Sequence, residues 1–159
     1  MITSIKVMNR FHVGLIKNKL EKPPSDSFAL ISIYSTPEEV LFPSGSISIL
    51  QPMGCYALLT LLFGDADPDR ERVQYPFLKC QAEHIQRFLK EMHEKQKEMM
   101  LVVHCDAGIS RSGAVATFAS NLFDIPFKDE YIKPNTYVLR MLNNLIWEKK
   151  YEQSNYETI

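Results

Sequence analysis

Cys105 and Arg111 are the residues whose types and spacing best suit chemistry, because the five residues between them can form a loop that wraps an anion. Those five are Asp106, Ala107, Gly108, Ile109 and Ser110. A cysteine thiolate is a strong nucleophile, and a guanidinium grips two phosphate oxygens as a planar fork in a way that an ammonium cannot. Inward backbone N–H groups of such a loop, joined by the free donors and positive dipole of a following helix, cradle a tetrahedral dianion. Gly108 admits backbone geometry that a side chain would obstruct. The same positive surroundings favour the charged nucleophile, so one loop binds the anion and activates the attacker. The pair alone is a weak signal. The longer string His104-Cys105-x-x-Gly108-x-x-Arg111-Ser112, set between an apolar run and a helical pattern, is far more demanding.

The elements that must hold this loop follow from periodicity. Phe28–Tyr34, Ala57–Phe63 and Met100–His104 are continuous apolar runs, the pattern of strands buried on both faces. Residues Ile5–Ile16 read as one or two short strands, and Ile47–Leu50 as another. From Gln81 to Lys97, apolar residues at Ala82, Ile85, Phe88, Leu89 and Met92 mark a one-sided helix. Ser112–Phe123 reads as an Ala-rich helix, and Thr136–Lys149 as a last one with Asn135 as its N-cap. Strands alternating with helices predict an α/β domain, a central and largely parallel sheet flanked by helices on both sides. In such sheets ligands bind beyond the carboxyl ends of the strands, where Cys105 stands.

Composition bounds the rest. A chain of 159 residues, 45% hydrophobic and 23% charged, is expected to form one globular domain over 1–159, with a polar tail from Tyr151. No apolar run is long enough to span a bilayer, and the N-terminus lacks a secretory layout. Three cysteines without regular spacing argue against a disulfide framework and for a reducing, cytoplasmic setting. A net charge of −1 favours neither nucleic acid nor an anionic membrane as partner, so anion binding must be local; a monomer is expected. His84 and His93 have no second ligand at metal spacing, and neither metal nor cofactor is expected. Cys55 and Cys80 read as small buried hydrophobes, with a transient disulfide to Cys105 as the other reading. Arg70 and Arg72 could touch the substrate or be surface charges.

The string from His104 to Gly113 resembles the signature loop of the cysteine-dependent protein tyrosine phosphatases, of the compact dual-specificity type. The resemblance runs from Phe28 to Trp147 and is most specific at Cys105–Gly113. It implies a three-layer α/β fold, no metal, a phosphocysteine at Cys105, and Arg111 binding substrate and transition state. It also implies that Ser112 assists release of the thiolate and that His104 supports the loop by hydrogen bonding. This family takes the leaving-group proton from an aspartate upstream of the cysteine, because an alkoxide or phenoxide departs poorly without one. Phe63-Gly64-Asp65-Ala66-Asp67-Pro68 resembles that acid loop and makes Asp65 the first candidate. The gap to Cys105 is longer than usual for the family, so Asp67 and Asp69 stay open, and all three acids equally suit a solvated turn. Pro134-Asn135 resembles the start of the last helix in bacterial and viral members, close to the signature loop; Asn135 is read first as an N-cap and second as a support of that loop. The implied substrates are phosphotyrosine and phosphoserine/threonine proteins or peptides. An RNA 5′-triphosphate or diphosphate is the second reading within the chemistry, and non-catalytic phosphate recognition is the competing class. Asp106 and the near-neutral charge weigh against polyanions.

Overall fold

Buried apolar runs of seven residues can satisfy their backbone only by pairing on both sides, and two of the predicted strands do so. β2 (Phe28–Tyr34) is buried along its whole length, and β4 (Met99–Cys105) at every position but one. The computed structural model describes residues 1–41, 47–66 and 72–145. Its sheet has the order β1-β4-β2-β3, with β1 (Ile2–Asn9) and β3 (Cys55–Leu62) at the edges and every pairing parallel. β3 therefore departs from the expectation of a fully buried strand: as an edge it keeps Tyr56 exposed and much of its length half-buried.

Two other expectations are corrected. Residues 10–16 are not strand but the helix α1 (Arg10–Lys17), capped by Asn9, whose side chain accepts from the His12 N–H at 2.9 Å. Val13 and Ile16, three apart, bury one face of that helix, a spacing that β-branched composition disguised as strand. Ile47–Leu50 forms a short helix, α2, that runs into a 3₁₀ turn at Gln51–Met53 and then into β3. A second 3₁₀ turn, Pro37–Glu39, follows β2.

The remaining helices form in the segments that periodicity marked, although the first of them ends at His93 and not at Lys97. α3 (Lys79–His93) buries Ala82, Ile85, Leu89 and Met92, and α4 (Arg111–Phe123) begins at the predicted loop. A fifth helix, α5, covers 136–145 of the described residues; the predicted end at Lys149 and the tail lie outside them. The larger core lies between the sheet and α3, α4 and α5, and includes Leu101, Val103, Cys105, Phe118 and Leu142. The smaller lies under α1 and α2 and includes Met8, Val13, Ile16, Tyr34, Leu50 and Val102. The result is a three-layer α/β sandwich around a parallel sheet. No helix among the described residues is long and apolar enough to cross a membrane.

Candidate active site

Parallel strands share one carboxyl edge, so the first residues beyond each strand converge. Here these are Arg10 after β1, Ser35 after β2, Phe63 to Asp65 after β3, and Asp106 to Ser110 after β4. Register aligns Asn9 with Cys105, which puts the start of α1 beside the loop. The Arg10 N–H donates to the Asp106 carbonyl at 3.1 Å. Gly108 crosses the end of β1 at φ 71°, where a Cβ would lie 2.7 Å from the Met8 carbonyl, so the loop needs glycine on both conformational and steric grounds.

Cys105 is the last residue of β4 and is buried, with its Sγ 3.1 Å from Ser112 Oγ. That hydroxyl, on the first turn of α4, can donate to a thiolate. Arg111 opens α4 and is only 3% exposed. Its Nη1 donates to the Phe63 carbonyl at 2.9 Å and its Nη2 to Asp106 Oδ2 at 2.7 Å, while its Nε is buried without a partner among the described residues. A guanidinium has five donors. Arg111 is thus anchored at both terminal nitrogens, with Nε–H as its unspent donor among the described residues.

Asp106 does more than lend its backbone to the loop. Its Oδ2 also accepts from Ser35 Oγ at 2.7 Å, and its Oδ1 lies 3.3 Å from Arg10 Nη1, which in turn meets Glu39 Oε1 at 3.1 Å. Partial burial pushes the Asp106 carboxyl up, but hydrogen bonds from Ser35 and Arg111 and the charges of Arg111 and Arg10 outweigh it and hold it below the usual carboxylate range. The hydrogen bond to Glu39 is the main cause that raises Arg10 above its ordinary value. Arg10, Ser35 and Glu39 were not singled out from the sequence. Their one legible signal was position immediately or shortly beyond a strand.

Asp65 comes to the opposite rim. Its Oδ1 accepts from Ser110 Oγ at 2.7 Å and from Asn135 Nδ2 at 2.9 Å. Asn135 performs both predicted roles at once: its Oδ1 caps α5 by accepting from the Val138 N–H at 3.0 Å, and its own N–H donates to the Ser110 carbonyl at 3.0 Å. Asp67, Asp69 and Arg70 lie outside the described residues. Ala107 and Ile109 face outward at the loop mouth. His104 is wholly buried on the other face of β4, edge-on to Tyr34 with ring centroids 5.5 Å apart. Burial pushes its imidazole down to about 4, against the opposing pull of a hydrogen bond with the Cys105 backbone and of the Asp106 carboxylate.

The other cysteines and histidines fall away from this centre. Cys55 is level with Met100 in the sheet, so Cys105 lies about 16 Å further along the strand direction at the usual rise per residue, too far for the disulfide considered above. Burial pushes the Cys55 thiol up to about 12. Cys80 is exposed at the start of α3, contrary to the expectation of burial. His84 is exposed, while His93 is half-buried and stacks on Phe123 at 4.0 Å. No group of three metal-ligating side chains occurs among the described residues.

Residues 74–145, which hold the signature loop, match the family model described as protein-tyrosine phosphatase. The matched stretch carries Cys105 through Arg111, and its family description agrees with the resemblance read from the signature string. Its fold is similar to that in the crystal structure of PTPMT1, with a TM-score of 0.51 and 13% identity over 96% of each chain. The structure of a human tyrosine phosphatase-like serine/threonine/tyrosine-interacting protein aligns over 93% of each chain at 16% identity, with a TM-score of 0.47. No curated protein matches the chain in sequence.

Proposed function

We propose that this chain hydrolyses phosphotyrosine, and with it phosphoserine and phosphothreonine, in proteins or peptides through a phosphocysteine intermediate. The observation that carries an enzyme over a phosphate-recognition module is the placement of Asp65, hydrogen-bonded at 2.7 Å to Ser110 of the very loop that bears Cys105. A binding module needs the cradle; only turnover needs an acid held against it.

In the first step the Cys105 sulfur attacks phosphorus, the S–P bond forms, the ester P–O bond breaks, and Asp65 gives its proton to the departing oxygen. Arg111 and the loop N–H groups hold the equatorial oxygens as charge redistributes. In the second step water attacks phosphorus, Asp65 takes up the proton of that water, and the S–P bond breaks to release phosphate. Ser112 donates to the sulfur as its charge returns, for which 3.1 Å is a suitable separation. The carboxylates of Asp106 and Glu39 beside the loop are ion-paired with Arg111 and Arg10, so the surroundings of the cradle offer no surplus positive charge for a polyanion such as RNA 5′-triphosphate.

Cys105→Ser should abolish hydrolysis of p-nitrophenyl phosphate while inorganic phosphate still binds, because the cradle is backbone and Arg111. Acid quenching of the wild-type reaction should trap phosphate on Cys105, seen by peptide mass spectrometry, and excess chelator should leave the rate unchanged. Turnover by the serine variant, or phosphate trapped on another residue, would overturn the assignment.

A further inference from the structure

α1 buries Val13 and Ile16 but turns a second apolar strip outward. Phe11 is 69% exposed, Leu15 stands one turn further, and Gly14 lies between them. With Leu41, Glu38, Glu39, Arg10 and Asn18 these residues line an open cleft of about 410 Å³ between α1 and the Pro37–Glu39 turn. Two observations single it out. The cleft adjoins the loop of Cys105 through Arg10, which lines it and also donates its N–H to the Asp106 carbonyl. In addition, nothing lies within 4 Å of where a Gly14 Cβ would stand. A glycine inside a helix is destabilising relative to alanine, and packing does not demand this one. Its effect is to leave the floor of the cleft open.

We propose that this cleft seats an apolar side chain of the peptide that flanks the phosphorylated residue, making Phe11, Gly14 and Leu15 determinants of peptide specificity. The proposal rests on the phosphatase reading above and adds what the enzyme recognises beyond phosphate. The occupant is a peptide because the walls are apolar while the rim carries one exposed carboxylate, Glu38, beside the mutually neutralising pair Arg10–Glu39. The Glu38 carboxylate disfavours the phosphates of RNA or of a phosphoinositide headgroup there and favours a basic residue next to the apolar one. The volume suits one or two side chains, not a folded partner.

The test compares two phosphotyrosine peptides that differ only in a Leu or Ser near the phosphotyrosine, with p-nitrophenyl phosphate as a substrate too small to reach the cleft. Wild-type protein should favour the Leu peptide about tenfold in kcat/KM, the effect expected for partly burying one apolar side chain. Gly14→Leu fills the cleft with a better helix former, so it should fold, keep its p-nitrophenyl phosphate kinetics within about twofold, and lose the Leu preference through KM. Phe11→Ser should lose the preference in the same way. The peptides are also titrated onto Cys105→Ser protein, which should bind the Leu form about tenfold more tightly. Failure of wild-type protein to hydrolyse p-nitrophenyl phosphate sinks the catalytic reading, whereas equal peptide affinities on the Cys105→Ser protein sink the cleft. A Leu preference that survives Gly14→Leu overturns the proposal. So does an RNA 5′-triphosphate or phosphoinositide vesicle whose turnover exceeds that of the Leu peptide and falls with Gly14→Leu.

Discussion

A buried guanidinium must find its counter-charge nearby or destabilise the fold, and Arg111 finds it at Asp106, the residue after Cys105. Asp106 and the Phe63 carbonyl hold its two terminal nitrogens, which fixes the guanidinium in place and leaves Nε–H as its unspent donor among the described residues. Arg111→Lys keeps the charge but loses the fork, and kcat/KM for p-nitrophenyl phosphate should fall by at least about a hundredfold. Asp106→Asn keeps an oxygen that can accept from Ser35 and Arg111, and should cost only a few-fold, whereas Asp106→Ala frees Arg111 and should cost roughly tenfold or more. Steady-state kinetics on all three variants check this, and an alanine variant as active as wild type would remove Asp106 from the mechanism. Cys105, Arg111 and Ser112 were legible in the sequence because they are contiguous and belong to one loop. Arg10, Ser35 and Glu39 come from separate segments, and only the strand order brings them to Asp106.

At the scale of elements, the acid loop after β3 and the start of α5 are joined through one side chain. Asn135 caps α5 with its oxygen and holds Asp65 with its nitrogen, so the two roles are separable by substitution. Asp65→Asn should slow phosphotyrosine or alkyl phosphate hydrolysis far more than that of p-nitrophenyl phosphate, whose leaving group departs more readily unprotonated; general acid catalysis contributes 10² to 10⁴-fold. Asn135→Ala should show the same leaving-group dependence in weaker form, and should lose about 1 kcal/mol of stability with the cap. Asn135→Ser restores a cap but not the reach to Asp65, so stability should recover while the leaving-group dependence persists. Measuring rates on both leaving groups alongside urea melts decides between the roles; stability and leaving-group dependence recovering together would make Asn135 a cap and nothing more. β2, β4, α3 and α4 could be read from sequence because each is long and strongly patterned. α1 and α2 could not, because short segments rich in Ile and Val satisfy the strand pattern equally well, and what decides α1 is the Asn9 cap with a face buried against Met8.

The whole molecule is divided by its sheet into two unequal cores, and alternation along β4 assigns its side chains to them: Leu101, Val103 and Cys105 to the larger, Val102 to the smaller. His104 must therefore point away from Cys105, toward Tyr34 and the smaller core, where it is wholly buried. Burial holds its imidazole near 4, against roughly 6.5 in an unfolded chain. Between those values the unfolded state binds a proton that the folded state refuses, so stability is full above about pH 6.5 and declines as pH falls toward 4. A difference of that size corresponds to about 3 kcal/mol across the window, a substantial part of the stability of a domain this size. The Asp106 carboxylate, held below its ordinary range, adds a separate loss at still lower pH, once carboxylates begin to protonate in the unfolded chain near 3.9. Urea melts at pH 7, 5.5 and 4.5 should show wild-type stability falling steeply, while His104→Asn and His104→Gln, whatever their stability at pH 7, should show a much flatter decline over the same steps. Asp106→Asn should leave that decline in place, because its carboxylate titrates below the window. If the histidine variants decline as steeply as wild type, the acid sensitivity belongs to another group, and His104 is not a buried neutral imidazole.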